Sequence, residues 1–338
     1  MLKVGKLDSQ LLEELVFKNI RFKRKEVLER PGIGRDCAVI DFGEHECVVS
    51  TDPITAAVDQ IGKLAVHISC NDIASNGVAP LGIMLTVMLP EGTTEDEIAE
   101  ITRQAGETAE ALGVEITGGH TEITRAVKRP VIVSTAIGRA PSRATRKAER
   151  LMPGDLIFMT KSAGLEGSGI IAFDYEKELT GRLSAAEIQE AKGYLELISV
   201  VKEGVAAGQT GYSAMHDVTE GGVLGAVWEL CRAAGAGAEI WQEAISVTDL
   251  TKKICEVYDI DPLRLISSGC MVIAVRPEKK EALEKALAAV EVKASLIGTV
   301  KEAARGITLI RQGKAFEITP PESDELYKVV GRSTSGQD

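Results

Sequence analysis

Four aspartates stand where periodic structure stops, a placement that suits a hard cation. Asp36 lies in Gly34-Arg35-Asp36-Cys37-Ala38, and Asp52 follows the apolar run Cys47-Val48-Val49-Ser50-Thr51. Asp72 sits beside Asn71 in an otherwise apolar helical stretch, and Asp217 follows Ala214-Met215-His216 ahead of Gly221-Gly222. Carboxylates at strand ends are free to converge, and magnesium prefers such oxygen ligands, completed by water and phosphate. Each aspartate also reads as a helix cap or turn residue, and for Asp52 taken singly that reading is the better one. Asn71-Asp72, amid Ile68, Ile73 and Ala74, must instead find polar partners.

Glycine-rich stretches add sites where a backbone can approach phosphate. Thr160-Lys161-Ser162-Ala163-Gly164-Leu165-Glu166-Gly167-Ser168-Gly169 falls between a strand and a helix, where backbone amides and a helix N-terminus cradle anions. It lacks the Gly-Lys-Ser/Thr ending of a P-loop. Gly221-Gly222 is a second such turn. In Thr117-Gly118-Gly119-His120-Thr121-Glu122 the glycines are expected at a strand end, with polar side chains turned to a cleft. His120 there acts as acid or base, contacts phosphate, or hydrogen-bonds within its loop. His45, His67 and His216 read as a surface turn, a helical face and packing at a strand end.

The elements that would position these groups alternate in type. Residues 8–20 have a helical apolar face of Leu11, Leu12, Leu15 and Val16, followed by the basic stretch 21–25. Strands are expected at 37–42, 47–50, 81–89, 114–117 and 131–137, and helices at 61–76 and 94–112. The last of these has Thr94 and Glu97 as a capping box and Gly113 as terminator. The basic stretch 139–150 reads as a connection between domains. Beyond it, strands are expected at 156–160, 214–216, 271–275, 294–299, 307–311 and 314–318. The helices there are 168–173, 185–207, 222–234, 247–258 and 278–290, and residues 331–338 read as a disordered tail.

With 338 residues, 44% of them hydrophobic, the chain can bury two cores. A formal net charge of -11 excludes a phosphate-backbone partner but not a nucleotide held by amides and metal ions. No secretory signal or membrane-length apolar run is evident, so a cytoplasmic location is expected. The six cysteines form no Cys-x-x-Cys pair and read as reduced, mostly buried thiols.

In this order the elements resemble the superfamily of aminoimidazole ribonucleotide (AIR) synthetase, thiamine-monophosphate kinase, selenophosphate synthetase and HypE, with the likeness strongest to HypE. Gly34-Arg35-Asp36-Cys37-Ala38 resembles the family's Gly-Asp-Asp-Ala-Ala, with Arg35 in place of the first aspartate. Ser50-Thr51-Asp52, Asn71-Asp72-Ile73-Ala74-Ser75-Asn76-Gly77-Val78-Ala79-Pro80, Gly118-Gly119-His120-Thr121 and Asp217-Val218-Thr219-Glu220-Gly221-Gly222 match further segments, and the likeness spans about residues 5–325. It implies an α/β (α+β) chain of two AIR synthetase-like domains, 1–150 and 151–325, with a polar tail at 326–338. The N-terminal sheet would close a dimeric β-barrel with a second copy, and the C-terminal domain would be mixed α/β.

The resemblance further implies an enzyme that uses ATP and magnesium. Asp36, Asp52 and Asp72, with Asn71, would handle metal and phosphates; Gly118, Gly119 and His120 would line the phosphate end. Gly164 and Gly167 belong to a loop that would close over the site, Lys161, Gly221 and Gly222 would also contact the cofactor, and His120 and Asp217 are the catalytic candidates. The acceptor would be an amide-type or other oxygen of a small or protein-borne substrate; the partners would be a second copy and that acceptor, not a nucleic acid or a membrane. HypE carries a C-terminal cysteine, whereas the last cysteine here is Cys270. A nucleotide-binding accessory protein without turnover, or a thiamine-monophosphate kinase-like enzyme, is the alternative; that kinase usually has Asp where His120 stands.

Overall fold

Along β3 (His45–Ile54) and β6 (Val131–Pro141) every second side chain is buried for most of the strand, as expected of strands with one covered face. The computed structural model describes residues 5–55, 57, 59–141, 150–321 and 323–334. In it these strands form the middle of a six-stranded sheet with β1 (Val27–Glu29), β2 (Ala38–Asp41), β4 (Pro80–Leu89) and β5 (Glu115–Ile123), ordered β1-β2-β3-β6-β4-β5. Helices α2 (Ile61–Ser75) and α3 (Glu95–Leu112) cover one face. Leu64, Ile68 and Ile73 of α2 share a core with Val48, Ile83, Leu85 and Ile132. α3 begins at the Thr94–Glu97 capping box and ends at left-handed Gly113. The other face bears the half-exposed Ile40, Val49, Val133, Ile137 and Met88, and Met84 is 41% exposed.

β5 corrects one expectation. Gly118 and Gly119 do not end the strand, which runs on through His120 to Ile123. At Gly119, with φ +152°, a Cβ would stand 1.8 Å from the Leu85 carbonyl oxygen, so the close approach of β4 and β5 requires glycine there.

β10 (Met271–Val275) is buried at every position, the mark of a strand covered on both faces. It lies in a seven-stranded sheet ordered β13-β12-β9-β11-β7-β10-β8. The other members are β7 (Leu156–Thr160), β8 (Ala214–Asp217), β9 (Gly237–Trp241), β11 (Ala294–Lys301), β12 (Ile307–Arg311) and β13 (Lys314–Glu317). Val223, Val227 and Leu230 of α8 (Gly222–Ala234) fill one side. Ala207 of α7 (Val201–Thr210) and Leu283 and Leu287 of α10 (Lys280–Ala289) pack with Phe158 and Ile273 on the other. β1 and β9 were not expected from the sequence.

Several boundaries also differ. The first helix, α1, is regular only over Ser9–Leu11 and continues as a π turn (Leu12–Val16) and a 3-10 turn (Phe17–Asn19), with none of its residues buried. The glycine-rich segment is largely helix: α4 spans Leu165–Asp174, followed by the short α5 (Glu176–Leu179). The expected single helix 185–207 is α6 (Ala185–Gly193), a 3-10 turn and then α7, because the loop between them is held by Asn71. Thr248 caps α9 (Asp249–Tyr258) rather than lying inside it. α11 runs over Leu326–Thr334 with Leu326 and Val329 buried, so the tail is helical up to that point; residues 335–338, like 142–149 of the interdomain connection, lie outside the described residues. No helix among the described residues is long and apolar enough to cross a membrane.

Candidate functional site

α2 is buried almost end to end between the first sheet and the C-terminal half, and it carries Asp72 into the interior at 2% exposure. Asp52 faces the same side from β3, Asp217 ends β8 at 0% exposure, and Asp36 precedes β2. The Ser50 hydroxyl stands 2.6 Å from Asp72 Oδ2 and 2.9 Å from the Asp36 carbonyl oxygen. Ser75 Oγ donates to Asp217 Oδ1 at 3.1 Å and accepts from the Asp217 amide at 3.1 Å. Asp217 Oδ2 is buried without a hydrogen-bond partner among the described residues.

Burial and mutual repulsion raise the proton affinity of this group. Burial first, then the charges of Asp217 and Asp52, push the Asp72 carboxyl well above the usual carboxylate range. Burial likewise raises Asp52, and burial with the charge of Asp36 brings Asp217 to about 6. Repulsion among carboxylates crowded this way is relieved by protons or by a cation, and an all-oxygen donor set fits magnesium.

A second layer carries positive charge. His216 Nδ1 donates to the Asp217 carbonyl oxygen at 2.6 Å; Nε2 lies 3.2 Å from Glu229 Oε2 and 3.4 Å from Asp36 Oδ2, ion-pair contacts without hydrogen-bond alignment. Burial opposes the charged ring, yet Asp36 and Glu229 raise it to about 10, so at neutral pH it is an imidazolium. Glu229, disfavoured as an anion by burial, is held down at about 2 by His216 and by Lys6, whose Nζ donates to its Oε1 at 3.1 Å. Asp36, His216 and Asp217 bring ligand-type atoms within 4.8 Å of one another, but a protonated ring cannot ligate.

Other expected site residues have different placements. Both ends of the Asn71 amide are engaged: Nδ2 donates to Ile198 O and Oδ1 accepts from the Val200 amide, each at 2.8 Å. Lys161 Nζ is held by Ser199 O, Glu203 Oε1 and Gly269 O at 2.5, 2.6 and 2.9 Å. The Gly164 amide donates to Ser267 Oγ, and Gly167 packs against Leu265. Gly221 gives its amide to Asp324 Oδ2 at 2.7 Å, and Gly222 begins α8 against the Leu263 carbonyl. Within one chain β5 stands apart from the cluster: Asp52 pairs with Ser134, Ser134 with Leu85 and Leu85 with Gly119, three strand spacings or about 14 Å. His120, one residue on, faces the opposite side of the sheet from Asp52, exposed beside Glu122 at 3.1 Å.

The cluster borders two cavities. One, of about 460 Å³, has Asp36, Asp52 and Asp72 against an apolar wall of Ile54, Leu64, Ile68, Ile170 and Ile266. The other, of about 510 Å³, has Asp36 and Asp72 together with Arg35, Arg150, Glu29 and Ser213. Cys37 lines the second, but burial and then the charge of Asp72 hold its thiol protonated, which makes it a poor nucleophile. Lys6, Glu229 and the buried Glu166, which lines the first cavity and is raised by burial to about 7, were missed in the sequence. The available signal was a charge inside an apolar helical run, as in Val227-Trp228-Glu229-Leu230-Cys231.

Comparison with known proteins identifies the family and its fold. Residues 34–140 match the N-terminal domain, and residues 152–310 the C-terminal domain, of AIR synthase related protein. The chain is 30% identical to carbamoyl dehydratase HypE of Rhodobacter capsulatus over 283 residues, covering 82% of this chain and 80% of that protein. The crystal structure of E. coli HypE superposes with a TM-score of 0.72 at 25% identity, over 95% of this chain and 99% of that one. A HypE solved in complex with ATP superposes with a TM-score of 0.71 at 21% identity, over 96% and 98%, a likeness of fold. The chain belongs to the AIR synthase related family as a HypE-like member.

Proposed function

We propose that the chain is an ATP- and magnesium-dependent enzyme that phosphorylates the oxygen of an amide-type group, as in carbamoyl dehydration, and thereby makes that oxygen a leaving group. The observation that carries this reading is the convergence of Asp36, Asp52 and Asp72 from three separate chain segments onto two cavities, with the charge of the buried Asp217 behind them. The apolar cavity suits a nucleotide base and the cluster its phosphates. Asp36, Asp52 and Asp72 would hold magnesium, which when bound neutralises phosphate charge and polarises the phosphoryl group. Ser50 fixes the Asp72 carboxyl, His216 and Glu229 fix the charge behind Asp36, and Asp217, held by Ser75, adds its charge from behind the cluster.

The reading needs a second copy. The open face of the first sheet is apolar, and among the described residues β5 leaves an unpaired edge with every residue exposed. Packing two such faces would cover Met84 and Met88 and move His120 from an isolated surface toward a partner's site. Light scattering at micromolar concentration should give twice the chain mass, and Met84→Asp should shift it toward the monomer; a clean wild-type monomer would remove the barrel.

Magnesium with ATP should raise the melting temperature by mass action, and ADP should appear when an amide-type acceptor is supplied. No thermal shift at millimolar magnesium–ATP, in protein shown to be folded, sinks the reading. Binding without ADP release under any acceptor would favour an accessory protein.

A further inference from the structure

A further cleft, of about 670 Å³, lies along another face of α2. Gln60, Lys63 and His67 of α2 line it, and Lys161 and the start of α7 face them from the C-terminal half. His67 and Asp72 are five residues apart, about 140° around the helix, so this cleft and the aspartate cluster are served by different sides of α2. We infer that the cleft binds a phosphate group, free or carried as a monoester, at a site separate from the proposed magnesium–nucleotide site and built from His67, Lys202 and the N-terminus of α7.

Three observations carry it. His67 is 9% exposed, and its ring, which lines the cleft, has no hydrogen-bond partner among the described residues, whereas buried polar groups normally have one. α7 starts without a side-chain cap, and the amides of Lys202 and Glu203 in its first turn find no acceptor among the described residues. Such amides, reinforced by the helix dipole, hold anions. The charges that act on His67 are those of Lys63 and Lys161: burial first and then these two lysines lower the ring to about 3, so it is neutral and stands in a positive field. A bound anion offsets that field. Lys161 spends its protons on Ser199 O, Glu203 Oε1 and Gly269 O, so it supplies charge rather than contacts. The exposed Lys202 has no hydrogen-bond or ion-pair partner among the described residues and is free to supply contacts. Three of the acids in the lining are already paired. Glu203 holds Lys161, Glu107 holds Arg103, and Glu196, with its side chain 70% exposed, holds Lys63 from the solvent side, where an incoming anion can replace it. Glu291, the fourth, is exposed. Leu112, Val290 and Val292 add apolar wall that suits the carbon body of an ester.

The test uses the full chain kept free of magnesium with EDTA, so that the aspartate cluster lacks its cation. It is titrated at constant ionic strength with phenyl phosphate, inorganic phosphate, benzoate and phenol, by calorimetry and by proton NMR of the four histidines. Phenyl phosphate or inorganic phosphate should bind at least about tenfold more tightly than benzoate or phenol, and the His67 ring signals, assigned by their loss in His67→Gln, should shift along the same binding curve. The tighter of the two phosphates names the source, ester or free anion. Lys202→Glu, a change at an exposed position, should weaken binding at least about tenfold while leaving the melting temperature within about a degree or two. His67→Gln should weaken it several-fold. Phosphate that binds without moving the His67 signals, binding that Lys202→Glu leaves unchanged, benzoate or phenol bound as tightly as either phosphate, or no binding at all would each overturn the inference. With neither magnesium nor nucleotide in the titration, such a result leaves the proposed function standing.

Discussion

Asp72→Asn should weaken magnesium-dependent ATP binding by at least about tenfold, roughly 1.4 kcal/mol, and leave the ligand-free protein as stable as before or more so. The amide keeps the shape and can still accept from the Ser50 hydroxyl 2.6 Å away. What it removes is a charge whose neighbours are Asp217, Asp52 and Asp36. The sign follows from the raised proton affinities. Asp72 stands well above its ordinary value and Asp217 at about 6, so the folded state binds protons that the unfolded chain has released. Their contribution to stability is complete below the unfolded carboxylate range near pH 4 and is lost as pH rises through the folded values. Unfolding free energy without ligand should therefore fall from about pH 4 to pH 8, and the advantage of the variant should widen over the same span. Urea denaturation across pH and ATP titration at fixed free magnesium are the two measurements. A variant destabilised by about 1 kcal/mol with ATP affinity intact would make Asp72 a structural acceptor and take it out of the metal site.

Why Asp72 was legible in the sequence, and Glu229 was not, follows from what burial does to local pattern. An Asn-Asp pair inside an apolar helical run has no local explanation, so it announced a buried polar role. Its two members then separated by face: Asn71 clamps the loop before α7, and Asp72 turns to the cluster. Period-two burial likewise made β3 and β6 readable, whereas β1 has three half-buried residues and no alternation to detect. The glycines misled because one residue type serves two needs. Gly118-Gly119 looked like a strand end, yet Gly119 is demanded by the Leu85 backbone across a sheet. The glycines of 164–169 looked like a phosphate loop, yet Gly167 and Gly169 let α4 pack on Leu265 and Leu195. His216 was read as simple packing because its partners Asp36 and Glu229 are 180 residues upstream and 13 downstream, a relation that register and helix packing create and sequence spacing does not.

That ion network sets the second large effect. Glu229→Ala should cost about 3 kcal/mol at neutral pH, because it strands a buried imidazolium with Asp36 as its remaining anion and leaves Lys6 without its carboxylate. The pH dependence tells this apart from a packing loss on α8. His216, raised to about 10, contributes stability that is complete below about pH 6.5 and is lost as pH climbs through 10. Glu229, depressed to about 2, contributes stability that is complete above about pH 4.5 and is lost as pH falls through 2. Both contributions are whole only between those limits. The deficit of the variant should thus be greatest from about pH 4.5 to 6.5 and shrink steadily toward pH 10, where the ring of the native protein discharges, and again toward pH 3. In the variant the His216 titration, followed by proton NMR, should move down from about 10 toward the ordinary histidine range. Glu229→Gln, which keeps the volume, should reproduce the pH profile with a smaller packing loss. A deficit that is constant from pH 4 to 10 in both variants would reduce Glu229 to a space-filling residue of α8 and leave the charge behind Asp36 unaccounted for.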